Sequence, residues 1–372
     1  MNPEALAKLR FPVEQSRGRR YPEFAHKYRN DFQRDRDRVV HARAFRRLEN
    51  KTQVFAQSYS DHFRNRLTHT LEVSQIARTV ASALKLNEDL TETLALVHDI
   101  GHPPFAHAGE MELNHQMQRF GDRFDHNLHA LRIVEIFEQR YARFPGLNLT
   151  FEVREGIVKH SRDLAAGEDS ALGEYLPGAK PPLEAQIIDL ADEVAYNTAD
   201  LDDAQSAGLI DPAALADAVP AFGAMREEIE YQYPGAPERI RYLECLRRLI
   251  DILCSSLIEG TYAAAEGLSS VDEIRAHSRV ACFTEEGQRL NSALKTFLHA
   301  NVYGAEELAR ERLRSTDAIA RLFQYYLDHP GSLPSNYEEQ EETEAPHRVV
   351  CDYIAGMTDG YFWKVWNSLS DV

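Results

Sequence analysis

The chain has 372 residues, 43% of them hydrophobic, and a formal net charge of −17 from 42 basic and 59 acidic residues. A single apolar core usually stops growing at about 250 to 300 residues, so one main body with a smaller helical appendage is expected, and the acidic balance argues against broad attraction to polyanions. No apolar run is long enough to cross a bilayer, MNPEALAKLRFPVEQSRGRR lacks the apolar stretch of a secretory signal, and Cys245, Cys254, Cys282 and Cys351 form no CxxC pair, so a cytoplasmic protein with inert thiols and no membrane partner is expected.

In chain order, Ser16 to Lys51 carries twelve Arg or Lys against five Asp or Glu. Two accounts fit this stretch: an exposed helix whose RDRDR charges satisfy one another, or a surface that faces phosphates. Helical periodicity is predicted over residues 31–49, then again over 66–84, where Leu67, Leu71, Val80 and Leu84 recur near three-to-four spacing. Between them, residues 52–59 are a strand candidate and at most a small hairpin. Asn87 starts the next helix, whose apolar run from Leu94 to Ile100 ends at Gly101, ahead of Pro103 and Pro104. Further helices are predicted over residues 126–140, 183–207, 237–265, 286–299, 306–327 and 348–369, with a second strand candidate at 278–284. Two Gly-, Pro- or acid-rich stretches, 165–182 and 328–347, read as exposed connections.

The stretches RLTHTLEVSQIA, LALVHDIGHPPFAHAGE and IIDLADEVAYNTADLDD carry the chemistry. A divalent cation that works on phosphate needs a few nitrogen and carboxylate ligands, and His69, His98, Asp99 and Asp192 would supply them. His98 and Asp99 end an otherwise apolar helix, where burying an imidazole and a carboxylate is costly unless something binds them. Arg66 lies one turn before His69, placed to hold a phosphate. Asp192, Tyr196 and Asp200 recur at i, i+4 and i+8, which fits either one functional helix face or a solvated acidic stripe. Past the prolines, His102, His107 and Glu110 form a second cluster in which the carboxylate can orient an imidazole as a general acid. The alternative there is a capping Glu and a surface His in a loop.

This order of H, HD and D, with SRGRRYPE and FQRDRDRVVHARAFRRLENKTQVF before it and VVCDYIAGMTDGYF after it, resembles the HD-superfamily deoxynucleoside triphosphate triphosphohydrolases, in their shorter bacterial dGTPase-like branch. The resemblance implies an all-α HD-domain helical bundle with additional helices and at most a small β-hairpin. It divides the chain into an N-terminal basic region (1–60), an HD core (61–210) and a helical C-terminal region that completes the core and makes oligomer contacts (211–372). It implies a metal site of His69, His98, Asp99 and Asp192, holding Mn, Mg, Fe, Co or Ni. It places Arg66, His102, His107 and His126 at the phosphates, and Gln53, Tyr196 and Asp200 around a deoxyribose. FDHNLHALRIV departs from the pattern by carrying His129 where many relatives have Gln, and ANVYGAEELARER lacks the basic continuation often found after NVY.

The activity implied is hydrolysis of a deoxynucleoside triphosphate to deoxynucleoside and triphosphate by water attack on the α-phosphorus, with His107, oriented by Glu110, protonating the 5′-oxygen. A homo-oligomer, often a hexamer in such relatives, is expected. Two alternatives stand beside it. One is an HD phosphohydrolase acting on nucleoside monophosphates or cyclic dinucleotides, the latter disfavoured by the absence of an HDxGK followed by GYP. The other is a nucleotide-sensing or single-stranded nucleic-acid-binding module that uses the basic stretch.

Overall fold

The structure is a computed structural model and describes residues 3–55, 62–167, 170–338 and 344–369. Its α-helices run in the order α1 Asp31–His41, α2 Arg43–Arg47, α3 Arg66–Ala83, α4 Glu88–Val97, α5 Ala106–Gln118, α6 His126–Arg132, α7 Phe151–Val158, α8 Leu183–Ser206, α9 Pro212–Ala218, α10 Pro220–Gln232, α11 Glu238–Ala264, α12 Val271–Ala276, α13 Glu285–Leu298, α14 Glu306–Asp328, α15 Ser335–Glu338, α16 Pro346–Ala355 and α17 Asp359–Ser368. Among the described residues there is no strand, only the isolated bridges Arg19–Thr150 and Thr52–Asn65, so the fold is all-α. The second strand candidate is coil there, ending at Thr284, whose hydroxyl accepts from Gly287 N to cap α13. Residues 56–59 of the first lie outside the described residues.

Helix starts follow side-chain chemistry. Asn30, Asn65, Asn87, Asp125 and Thr358 each accept a backbone N–H from the first turn that follows, satisfying donors a helix leaves orphaned. The predicted apolar stripe of α3 holds at Val80 and Leu84, with Leu67 partly buried against the core, and fails at one position. Leu71 is 51% exposed, while His69, Val73, Ile76, Ala77 and Val80 face inward. The helix predicted over 31–49 breaks at Ala42, whose extended backbone (ψ 150°) separates α1 from α2. The one predicted over 348–369 breaks at residues 356–358 into α16 and α17.

Helix α4 is central, packing on α1, α3, α7 and α8, with α11 and α13 covering the far side of α8. These elements share one apolar core, from Leu6 and Phe32 through Val97 and Val194 to Leu298. A second, smaller core joins α5 to α14, α16 and α17 through Leu113, Met117, Phe323, Ile354 and Phe362. The 165–182 connection contributes Leu172 and the fully buried Tyr175, which hydrogen-bonds Arg154 and Glu135, so it is anchored to the core rather than simply exposed. The four cysteines are free, Cys245 and Cys351 being buried. No helix among the described residues is long and apolar enough to cross a membrane.

Candidate active site

Between the two cores opens a cleft of about 510 Å³. Its floor is the end of α4. His98 Nδ1 sits 2.6 Å from Ala95 O, which commits that nitrogen to carry the proton and leaves Nε2 with a free lone pair. Nε2 is buried without a hydrogen-bond partner, 3.5 Å from Asp99 Oδ1 and 4.0 Å from Asp192 Oδ1. His69, one turn into α3, reaches across so that its Nε2 lies 2.8 Å from Asp192 Oδ1 on α8. Ligand atoms of His69, His98 and Asp99 all fall within 4.8 Å of one another, and so do those of His98, His160 and Asp192. Burial would raise both aspartates, but the neighbouring imidazoles, with Arg66 beside Asp99, hold them below the usual carboxylate range. An orphaned imidazole nitrogen between two ionised carboxylates is the donor set a divalent cation takes, so these residues fit the group that the sequence implied.

Gly101 explains how the second cluster reaches the first. A Cβ there would stand 2.0 Å from His126 O and 2.5 Å from Ala130 N, so only glycine lets α6 lie directly on the turn after α4. That approach stacks the His126 ring on His102 at 3.9 Å between centroids. His102 Nδ1 is 3.0 Å from Asp99 Oδ1, and burial followed by the nearby Arg66 guanidinium pushes its pKa well down, so it is neutral. Arg66 Nη1 donates to Asp99 Oδ2 at 2.8 Å. Glu110 serves two imidazoles. Its Oε1 accepts from His126 N at 3.0 Å and lies 2.7 Å from His126 Nδ1, while its Oε2 is 3.6 Å from Nδ1 of the exposed His107. Burial would raise the Glu110 carboxyl, yet these imidazoles hold it well below the usual range. The polar atoms of Glu110 therefore face His126 more closely than His107.

The opposite wall brings Gln53, Tyr196 and Asp200 to the same cleft. Gln53 Oε1 is buried with no partner. Lys295 Nζ lies 5.8 Å from the Tyr196 ring centroid. Asp200, 3% exposed, accepts a hydrogen bond from Tyr303 Oη, and burial outweighs that bond to push its pKa up to about 7. Because the unfolded chain ionises near pH 4, the folded state binds this proton more tightly. The resulting stabilisation is complete below about pH 4 and is lost as pH rises through about 7, with three pKa units setting an upper bound of about 4 kcal/mol. We expect the thermal midpoint to fall between pH 5 and pH 8, and Asp200→Asn to flatten that fall; an unchanged slope in the variant assigns the effect elsewhere.

Ten of the twelve residues singled out in the sequence line this cleft, and the other two, Glu110 and His98, stand directly behind cleft-lining histidines. Sequence reading missed His160, just after α7. Its Nδ1 is 2.8 Å from Asp189 Oδ1 and its ring centroid 5.1 Å from that of His98. The available signal was Asp189, one turn before Asp192 on the same face. Also missed were Tyr303, Glu311, Arg312 and Ser315, which close the cleft from the far side. His129 is a core residue, with Nδ1 2.8 Å from Gly101 O and a pKa pushed down to about 3 by burial. In the basic N-terminal stretch, Arg19, Arg20, Arg29, Arg34, Arg36 and Arg38 are tied to carboxylates such as Asp35, Glu135, Asp37, Glu23 and Glu92, and Lys51 is buried behind His102. Much of that charge is neutralised internally.

An all-helical body that gathers H, HD and D residues at the end of a central helix defines an HD-domain phosphohydrolase. The HD domain family matches residues 66–197, and a phosphohydrolase-associated domain matches residues 281–368. The chain is 46% identical to a deoxyguanosinetriphosphate triphosphohydrolase-like protein of Azoarcus sp. (strain BH72), over 94% of this chain and 92% of that one. It is 46% identical to a protein of the same description from Ralstonia nicotianae, over 96% and 93%, and 44% identical to one from Geobacter sulfurreducens, over 93% and 90%. The chain belongs to the deoxyguanosinetriphosphate triphosphohydrolase-like family, and it is a phosphohydrolase enzyme.

Proposed function

We propose that the enzyme hydrolyses a deoxynucleoside triphosphate, dGTP among the first candidates, to deoxynucleoside and inorganic triphosphate. The observation that carries this reading is the orphaned His98 Nε2 between Asp99 and Asp192, two carboxylates that line one cleft with Arg66, His102, His107 and His126, the last two backed by Glu110. His69, His98, Asp99 and Asp192 would hold a divalent ion, with Mn, Fe, Co, Ni and Mg as the chemically suitable choices. When bound, such an ion supplies positive charge at the phosphate oxygens and makes a nearby water more acidic. Arg66 binds a phosphate oxygen with the fork it now offers to Asp99. His102 and His126 pack against the same phosphates. Tyr196 lies along the sugar, and Gln53 and Asp200 meet the 3′-hydroxyl, where a crowded wall would disfavour a 2′-hydroxyl.

In the reaction the water oxygen bonds to the α-phosphorus and its proton passes to solvent, the bond from that phosphorus to the 5′-oxygen breaks, and His107 gives its proton to the departing 5′-oxygen and regains one from solvent. Glu110 orients that imidazole while fixing His126. The experiment is incubation of metal-loaded protein with each dNTP and rNTP, followed by identification of the phosphate product. Triphosphate released from a dNTP supports the reading; orthophosphate or pyrophosphate excludes it. A homo-oligomer is also proposed. The exposed Tyr231, Ile240, Leu243 and Ile252 of α10 and α11 supply apolar surface for it, and light scattering measures the assembly.

A further inference from the structure

His107 enters the cleft on an unusual turn. Phe105 (φ 63°, ψ 31°) and Ala106 (φ 55°) are two consecutive non-glycine residues in the left-handed region, which side chains disfavour and which persists only where surroundings impose it. The turn is pressed further by Gly109, where a Cβ would meet Pro104 O at 2.0 Å. The surroundings that impose it come from the far end of the chain. Asp359, the first residue of α17, accepts from Phe105 N through Oδ1 at 3.1 Å and from Thr52 N through Oδ2 at 2.8 Å. The Phe105 ring stands edge-on to Phe362 at 4.9 Å and lies 5.3 Å from Trp363. The preceding corner grips the same region. Ala355 O accepts from Lys51 Nζ at 3.2 Å, Lys51 Nζ also donates to His102 O, and Gly356 O accepts from Arg47 Nη1 at 2.8 Å.

We propose that Asp359 is a positioning residue: one carboxylate, from the C-terminal module, locks the strained turn that presents His107 to the loop that presents Gln53. An acid at a helix start commonly serves only its own helix. Here both oxygens are instead spent on backbone N–H groups of two cleft walls, one 254 and the other 307 residues away in sequence. The break between α16 and α17 exists in the right place to deliver it. The proposal rests on the reading of His107 as proton donor only for its effect on turnover, and its structural half is measured without substrate.

The test uses the full-length protein with Asp359→Ala and the milder Asp359→Asn, which keeps one accepting oxygen. Amide hydrogen exchange at Thr52 and Phe105 should quicken at least about tenfold in Asp359→Ala, and at one of the two sites in Asp359→Asn, with bound metal per chain unchanged. Unaltered exchange at both amides in both variants overturns the clamp. With dNTP, kcat should fall about 10- to 100-fold while KM stays within about twofold, as expected of an acid moved by roughly 1 Å. In a His107→Ala background the same change should cost almost nothing more; a fully additive loss overturns the proposed link to His107. If the wild-type protein releases no triphosphate from any dNTP, the functional reading has failed, and the exchange data still decide whether Asp359 holds the two walls.

Discussion

Asp192→Ala should strip the protein of bound divalent metal and lower turnover about 10³-fold or more. Asp192 is the acceptor 2.8 Å from His69 Nε2 and the carboxylate nearest His98 Nε2 on the α8 side. Removing it leaves His69 buried without its partner and halves the carboxylate charge that draws a cation. A bound ion is worth several kcal/mol of transition-state charge stabilisation, and about 4 kcal/mol corresponds to roughly three decades in rate. Metal content per chain after dialysis against excess Mn²⁺, measured beside triphosphate release, checks both parts. A variant that kept one ion per chain and turned over within tenfold of the wild type would show that the ion, if present, sits elsewhere.

His107→Ala should lower kcat by about 10² to 10⁴, the usual contribution of a positioned general acid, with metal content intact. Under the proposed reaction the 5′-alkoxide is a poor leaving group, so the loss of its proton donor would be felt fully. A substrate with a better leaving group, such as an aryl triphosphate, should therefore lose far less in the same variant. Equal losses on both substrates would point to His107 as a binding group. His126→Ala separates the roles of the two imidazoles that share Glu110: because Glu110 Oε1 faces His126 closely, this variant should impair phosphate binding and loosen α6 against the turn at Gly101. If His126→Ala instead removes the leaving-group dependence, the acid is His126.

The HD pair could be read from the sequence because two ionisable residues at the end of the apolar run LALV contradict the solvation rule that governs the rest of that helix. The i, i+4, i+8 spacing of Asp192, Tyr196 and Asp200 was equally visible, but spacing could not tell a cleft wall from a wetted stripe. Packing did, by burying Asp200 under Tyr303 from a segment 103 residues away. Helix α5 escaped prediction because its inward face consists of Ala108, Gly109, Leu113, Gln116 and Met117, too weak an apolar signal beside two prolines. Helix α7 escaped because all eight of its residues are buried, which erases periodicity. His160 escaped as a lone histidine. Only the fold places it beside His98 and supplies Asp189 to orient it.

The sequence by itself determined the all-helical class, the starts of the long helices and the H, HD and D order of His69, His98, Asp99 and Asp192, because capping, amphipathic period and the cost of burying charge are local rules written in neighbouring residues. Only the tertiary structure decided which imidazole Glu110 favours, that Leu71 of α3 faces out, and that a carboxylate from the last helix reaches the turn before His107. These are contacts between segments up to 307 residues apart, and their partners are chosen by how helices pack, which no local pattern encodes.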